Sequence, residues 1–127
     1  HTLTGHTHVV NSLCLLTHNT LASASHDNSI KLWDLTTHAC THTLTGHTSW
    51  VTSLCLLPPH NTLASGSGDD DSIKLWDLHT HACTHTLTGH THVVNSLCLL
   101  THNTLASASH DNSIKLWDLT THACTHT

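Results

Sequence analysis

The stretch LASASHDNSIKLWDL, residues 21–35, decides the fold, and it recurs without change at residues 105–119. A version with one extra residue, LASGSGDDDSIKLWDL, occupies residues 63–78. In each copy, two short runs of apolar and small residues flank a cluster of turn-forming residues, which is typical of a β-hairpin. Three copies of one hairpin predict a repeat protein, in which each unit buries its apolar surface only against its neighbours.

Each Trp-Asp pair lies 27 to 29 residues after the histidine of a Gly-His pair, and this spacing defines the repeat. The predicted units cover residues 1–41, 42–84 and 85–127, and the last includes two residues that begin a further copy. The first and third units are identical over 41 residues, whereas the middle unit carries insertions at Pro58-Pro59 and within residues 68–71. Such identity indicates either a recent duplication or a design.

The Gly-His and Trp-Asp pairs, together with the run GHTSWVTSL at residues 46–54, resemble the WD40 repeat. The resemblance covers essentially the whole chain and implies a β-propeller, here with three four-stranded antiparallel blades. The residue pattern agrees with an all-β fold. Strands are predicted over residues 9–16, 21–25, 30–35 and 39–44 of the first repeat, and no segment has a helical period.

Three blades predict an incomplete ring, because a propeller closes with about four to eight blades. An open arc leaves unpaired blade faces and strand edges, which favour association. We therefore expect the ring to be completed by self-association or by missing chain, and two copies giving six blades is the preferred count. Residues 1–4 match the end of the fourth strand, so a neighbouring copy is expected to receive them.

Charge is sparse, with three lysines, eight aspartates and a formal net charge of -5. Lys31, Lys74 and Lys115 occupy one equivalent strand position and form no basic patch, which argues against binding to nucleic acid. No apolar run approaches the length of a membrane span. We expect no nucleic-acid or membrane partner, no cofactor, and a cytoplasmic or otherwise intracellular location.

The six cysteines fall into two equivalent sets, one in the first strand and one in the fourth strand of each repeat. Equivalent residues of neighbouring blades lie too far apart for a disulfide. The sequence therefore predicts buried, reduced thiols that pack as small apolar side chains.

The WD40 resemblance also implies a hydrogen-bonded tetrad of His, Ser, Asp and Trp in each blade. A buried tryptophan supplies apolar area while its N–H requires a partner, and a buried polar network is favourable only when every member is bonded. By position, the three tetrads are His6, Ser23, Asp27 and Trp33; His47, Ser65, Asp70 and Trp76; and His90, Ser107, Asp111 and Trp117.

Hydrolases use the same Ser, His and Asp residue types for catalysis. Three copies in three blades favour an architectural role, and no motif provides an oxyanion site. The chain is therefore expected not to be an enzyme.

The resemblance places partner-binding residues three and five positions after the tetrad histidine and directly before the turn aspartate. These positions are Val9, Asn11, His26, Trp50, Thr52, Asp69, Val93, Asn95 and His110. Trp50 is the only tryptophan outside a Trp-Asp pair, and exposed aromatic residues are enriched at interface hot spots. Beside Asp69, it predicts a site for a peptide that bears Lys or Arg.

Six of the eighteen histidines flank the fourth-strand cysteines, and His38, Cys40 and His42 are the weak candidates for a metal site. Zinc requires ligands that converge within a few ångströms, whereas these three spread over about 13 Å of strand. We expect no specific metal site. Asp69-Asp70-Asp71 lacks the spaced oxygen ligands of a calcium site.

The sequence thus favours a non-enzymatic scaffold for protein or peptide interaction through the loop face around Trp50. The alternative is a designed or duplicated repeat whose main activity is self-assembly into a closed propeller. Metal binding through the His- and Cys-rich outer strands is the least favoured function.

Overall fold

A computed structural model describes all residues, 1–127. Twelve short strands form most of its regular structure. In chain order they are β1 (Val10–Thr17), β2 (Thr20–Ser25), β3 (Ile30–Asp34), β4 (Cys40–Leu44), β5 (Val51–Leu57), β6 (Thr62–Ser67), β7 (Ile73–Asp77), β8 (Cys83–Leu87), β9 (Val94–Thr101), β10 (Thr104–Ser109), β11 (Ile114–Asp118) and β12 (Ala123–His126). The sheets β1-β2-β3-β4, β5-β6-β7-β8 and β9-β10-β11-β12 are the first, second and third blades. All strand pairs are antiparallel, so the predicted all-β fold with four-stranded blades is confirmed.

The aspartate of each Trp-Asp pair organises the turn between the third and fourth strands of its blade. Asp34 Oδ1 accepts hydrogen bonds from the backbone N–H groups of Thr36, at 2.7 Å, and Thr37, at 2.9 Å. These donors favour the charged carboxylate, so the pKa of Asp34 lies below its usual value. Asp77 and Asp118 make the equivalent backbone bonds. The aspartate is therefore required by the turn, and the tryptophan before it by the core.

The hydrophobic core lies between the blades. One cluster joins Ala22, Ala24 and Ile30 of the first blade to Val51 of the second. The other cluster joins Ile73 of the second blade to the third blade in the same way. The small residues of β2 and its equivalents let neighbouring sheets approach closely, and the larger side chains of the adjoining strands fill the remaining space. Each blade thus depends on its neighbour for burial.

The prediction of buried thiols is wrong for four of the six cysteines. Cys40, Cys83 and Cys124 are exposed on the outer strands, where no further strand covers them. Cys98 is also exposed, although the equivalent residues of the first and second blades are partly covered by the following blade. No blade follows the third blade in this structure. Cysteines at the same position of identical repeats are therefore buried to different extents.

Replacing Ile73 with alanine should lower the free energy of unfolding by about 2–5 kcal/mol, because Ile73 is fully buried between two blades. Ile114 is the matched control, since it occupies the same repeat position but is 62% exposed. Ile114→Ala should change the unfolding free energy by no more than about 0.5 kcal/mol. Urea denaturation at low protein concentration measures both values. Equal losses at the two positions would contradict the location of the core between blades.

Candidate functional site

Each blade contains a hydrogen-bonded tetrad that links its second strand, its third strand, the loop before its first strand and its hairpin tip. In the second blade, Trp76 Nε1 lies 2.8 Å from Ser65 Oγ, and the same oxygen lies 2.7 Å from His47 Nε2. His47 Nδ1 lies 3.0 Å from Asp70 Oδ2. The same bonds join the two equivalent sets, His6, Ser23, Asp27 and Trp33, and His90, Ser107, Asp111 and Trp117.

The chemistry of the two end groups, together with the need of the serine hydroxyl for an acceptor, fixes the direction of every bond in the tetrad. An indole N–H can only donate and a carboxylate can only accept. Trp76 therefore donates to Ser65, Ser65 donates to His47 Nε2, and His47 donates from Nδ1 to Asp70. This order requires a neutral imidazole, because a doubly protonated ring would leave the serine hydroxyl hydrogen without an acceptor.

The pKa shifts in the second blade agree with this order. Burial lowers the pKa of His47, and the bond to Asp70 offsets this only in part. Burial opposes ionisation of Asp70, but hydrogen bonds from His47 and Ser72 outweigh it and lower the pKa of the carboxyl to about 2. The pKa values of Asp27 and Asp111 are also lowered by their hydrogen bonds. The tetrad thus holds a neutral histidine against a charged aspartate.

A serine, histidine and aspartate in this arrangement resemble the groups of a hydrolase, but the serine is placed for a different role. Ser23, Ser65 and Ser107 are all buried. Each hydroxyl also accepts the indole N–H of its blade. Burial and the bond to tryptophan give each serine a structural role in its blade.

The position of the tetrad tryptophan explains why a glycine precedes the histidine in each Gly-His pair. A Cβ atom on Gly46 would lie 3.1 Å from Cη2 of Trp76, and the equivalent glycines have similarly close contacts with Trp33 and Trp117. The absence of a side chain lets the ring lie under the loop that carries the tetrad histidine.

Trp50 lies half-buried on the loop face, between two neighbouring blades. Its indole packs directly on Gly68, where an added Cβ atom would be 2.2 Å from Nε1. On the other side, the His26 ring of the first blade lies 5.5 Å from the Trp50 ring, measured between centroids. The first and third blades carry Val9 and Val93 at this position, together with His26 and His110 where the second blade has Gly68. Tryptophan and glycine therefore occur together as a fitted pair.

The alignment of Asp69 with His26 and His110 needs correction. The backbone N–H groups of His26 and His110 donate to the carbonyls of Val9 and Val93, and Gly68 donates to Trp50 in the same way. Gly68 is thus the equivalent residue, and Asp69 is the inserted one. Asp69 is exposed, and its backbone N–H is bonded to Ser49 Oγ at 3.1 Å.

Two of the predicted partner-binding residues have their side chains bonded between blades. Asn11 Nδ2 donates to the Val51 carbonyl at 2.8 Å, and the Thr52 hydroxyl donates to the Val94 carbonyl. Asn95, at the same position in the third blade, makes no side-chain hydrogen bond within the chain and is exposed. Among the other residues of this set, Val9 and His110 are exposed, His26 is half-buried and Val93 is buried.

The histidines around the fourth strands bridge blades instead of converging with cysteine. His42 stacks on His81 of the second blade with ring centroids 3.6 Å apart, and His85 stacks on His122 at 3.5 Å. His38 lies before β4 with a positive φ of 60° and stacks on His1. The expectation that His38, Cys40 and His42 lie along one strand is therefore wrong, because β4 begins at Cys40. No group of three or more His, Cys, Asp or Glu residues in the structure is arranged to hold a metal ion.

The chain matches the family described as WD domain, G-beta repeat, over residues 1–34, 38–77 and 81–118. A search of curated proteins finds no match. The structure has one helical segment, a 3-10 helix at Pro58–His60, and it is not long and apolar enough to cross a membrane.

Replacing Ser65 with alanine should lower the unfolding free energy by about 1–3 kcal/mol, because it leaves the buried Trp76 N–H and His47 Nε2 without partners. Ser96→Ala is the matched control, since Ser96 lies in a strand but is exposed. The control should change stability by less than about 0.5 kcal/mol. Chemical denaturation compares the two variants, and equal effects would contradict the importance of the tetrad.

Acid should destabilise the chain in two steps. Burial lowers the pKa values of His47, His81 and His122 below 6.5, so the unfolded chain binds protons more readily than the folded chain as the pH falls through this range. The stacked rings His42 and His85 add to the shifts of His81 and His122, respectively. A second loss is expected from about pH 4 to pH 2, where Asp70 must be protonated.

Urea denaturation at pH 8, 6.5, 5, 4 and 3 measures these steps. The variant His81→Gln/His122→Gln should reduce the loss between pH 7 and pH 5 and leave the loss below pH 4 unchanged. An unfolding free energy that is constant between pH 8 and pH 3 would refute both assignments.

Proposed function

We propose that this chain, which belongs to the WD40 repeat family, is a non-enzymatic β-propeller scaffold that binds protein or peptide segments through the loop face around Trp50. Proteins of this family commonly mediate protein interactions, and the blades provide a rigid support for their loops. The observation that supports this face is the Trp50 indole itself, which lies half-exposed between Gly68 and His26. An intracellular location is part of the proposal, since all six cysteines are free thiols.

The middle blade is the place where the repeat departs from its neighbours. Trp50 replaces valine, Gly68 replaces histidine, and Asp69 is inserted beside them. The tryptophan contributes a large, flat apolar surface with little side-chain entropy to lose on binding. Because the first and third blades fold into the same sheets without these three residues, the blade architecture does not require them. This supports a role in recognition.

Charge defines the kind of segment that fits the loop face. Asp69 is exposed and Asp71 is half-exposed beside it, while the carboxylate of Asp70 is held in the tetrad. The amino groups of the three lysines are each bonded to a threonine hydroxyl in or directly after the outer strand of their blade. We therefore propose a peptide segment with an arginine or lysine that contacts the indole face and pairs with Asp69.

The absence of a catalytic role is also part of the proposal. The serine of each Ser-His-Asp set is buried and bonded to a tryptophan, which supports a role in holding strands together. A scaffold needs only surfaces that remain fixed relative to one another.

A short glycine-flanked arginine peptide should bind the wild-type chain, and the Trp50→Val variant should weaken binding by about 2- to 30-fold, the range expected for a cation–π contact. Valine is the matched choice because the first and third blades carry it at this position. Asp69→Asn should also weaken binding, and its effect should diminish in high salt. Isothermal titration calorimetry measures the dissociation constants.

A peptide with glutamine in place of arginine is the ligand control and should not bind. Circular dichroism confirms that the variants remain folded. Equal affinity of the wild-type, Trp50→Val and Asp69→Asn chains for the arginine peptide would refute this site.

Self-assembly is a second candidate function, and a specific observation favours it. Val10, Leu13, Leu15, Leu100 and Ile114 are large apolar residues that stand exposed at the open faces of the first and third blades. Equivalent residues are covered at the internal blade boundaries, and exposed apolar surface of this kind favours association. The solution mass of the chain tests this function independently of peptide binding.

A further inference from the structure

The two boundaries between blades are copies of one interface, and the outer blades carry its two unpaired halves. At each boundary, the preceding blade contributes a back face, defined here by Asn95, Cys98, Leu100 and Ile114 of the third blade. The following blade contributes a front face, defined here by Val10, Leu13 and Leu15 of the first blade. Since the boundaries repeat within the chain, each unpaired half has a known partner surface.

The front face of the first blade is uncovered at the positions that are buried further along the chain. Val10 is 47% exposed, whereas the equivalent Val51 and Val94 are fully buried against the preceding blade. Leu13 and Leu15 are also exposed, and their equivalents in the second and third blades are half-buried. What these residues lack is a preceding blade.

The back face of the third blade shows the complementary pattern. Ile114 is exposed, whereas Ile30 and Ile73 are fully buried by the following blade. Leu100 is 53% exposed, and its equivalent Leu57 is 1% exposed within the cluster between the second and third blades. What these residues lack is a following blade.

A polar contact repeats with the same period. Asn11 donates to the Val51 carbonyl and Thr52 donates to the Val94 carbonyl, so an equivalent side-chain bond crosses each internal boundary. The next member of the series is Asn95, whose side chain has no hydrogen-bond partner in the chain. The carbonyl that continues the series belongs to Val10, which receives no side-chain donor. The same two faces therefore match in polarity as well as in apolar shape.

We infer that the back face of the third blade binds the front face of the first blade of a second copy, with Asn95 donating to the carbonyl of Val10 of that copy. This inference rests on the self-assembly proposed above and specifies its surface. The contact is head-to-tail, so two copies make two identical contacts and close into a ring. Two copies of the three described blades give six, which lies within the range of about four to eight blades found in propellers.

At each contact, the first residues of one copy and the last residues of the other would occupy the same position. His1 stacks on His38 in the same way as His42 stacks on His81, so His1 occupies the place of a fourth-strand histidine from a preceding blade. His126 pairs with β11, and Lys115 bonds to Thr127 as Lys31 bonds to Thr43. His126 and Thr127 of one copy and His1 and Thr2 of the next thus compete for one position. Removing His1 and Thr2 should leave association unchanged or strengthen it.

Sedimentation equilibrium and thiol labelling test the contact. The wild-type chain should have twice the mass of one chain, and Ile114→Asp should weaken association at least about 100-fold by placing a carboxylate in an apolar boundary. Ala82→Asp adds the same charge on an exposed outer position of the second blade and should have no effect. Asn95→Val should weaken association by about 2- to 10-fold, the effect of one hydrogen bond. Asn11→Val should instead reduce the stability of each chain, because Asn11 bonds within it.

Reactivity of Cys98 toward a maleimide locates the contact. Cys98 is exposed in the single chain, whereas its equivalents Cys14 and Cys55 are partly covered by following blades. Association should therefore protect Cys98 from the maleimide. The exposed Cys124 should stay reactive. A monomer at all concentrations would refute the proposed self-assembly and this contact together. A dimer that keeps Cys98 reactive and tolerates Ile114→Asp would leave self-assembly standing and overturn this contact. Open-ended growth beyond the dimer would overturn the closed ring.

Discussion

No blade of this protein buries its own apolar faces, and this constraint governs the rest of the structure. The core clusters lie between sheets, so each sheet contributes one side of two different interfaces. The small residues of the second strands allow the sheets to approach closely, and the bonds from Asn11 and Thr52 fix their relative position. Stability, the exposed faces of the outer blades and the inferred contact with a second copy all follow from this arrangement.

The tetrads solve a separate problem, which is how to bury a tryptophan and still satisfy its N–H. Serine donates a hydrogen bond to the histidine, and the histidine donates one to an aspartate that also holds the hairpin tip through Ser29 or its equivalents. One chain of bonds thereby ties four separate segments of a blade together. The residue types are those of a hydrolytic site, yet burial of the serine gives them a structural use.

The departures from perfect repetition are as informative as the repeats. Trp50, Gly68 and Asp69 change together in the middle blade, and the contact between the indole and Gly68 explains why the first two changes are coupled. The sequence drew attention to Trp50 because it is the only tryptophan outside a Trp-Asp pair. It gave no sign that Gly68 lies under the ring, because residues 50 and 68 belong to different strand ends that meet only after the hairpin has formed. Asp69 precedes the turn aspartate as His26 does, and only the backbone hydrogen bonds identify Asp69 as the inserted residue.

The sequence by itself determined the repeats, the all-β class and the four strands of each blade, because strand alternation and turn-forming residues act over a few neighbouring positions. Only the tertiary structure decided which copy of each residue is buried and which side-chain bonds cross between blades. The first and third repeats share one sequence over 41 residues, yet Ile30 is buried and Ile114 is exposed. The physical reason is that burial belongs to a pair of blades, and a blade's own residues do not record which neighbour it has.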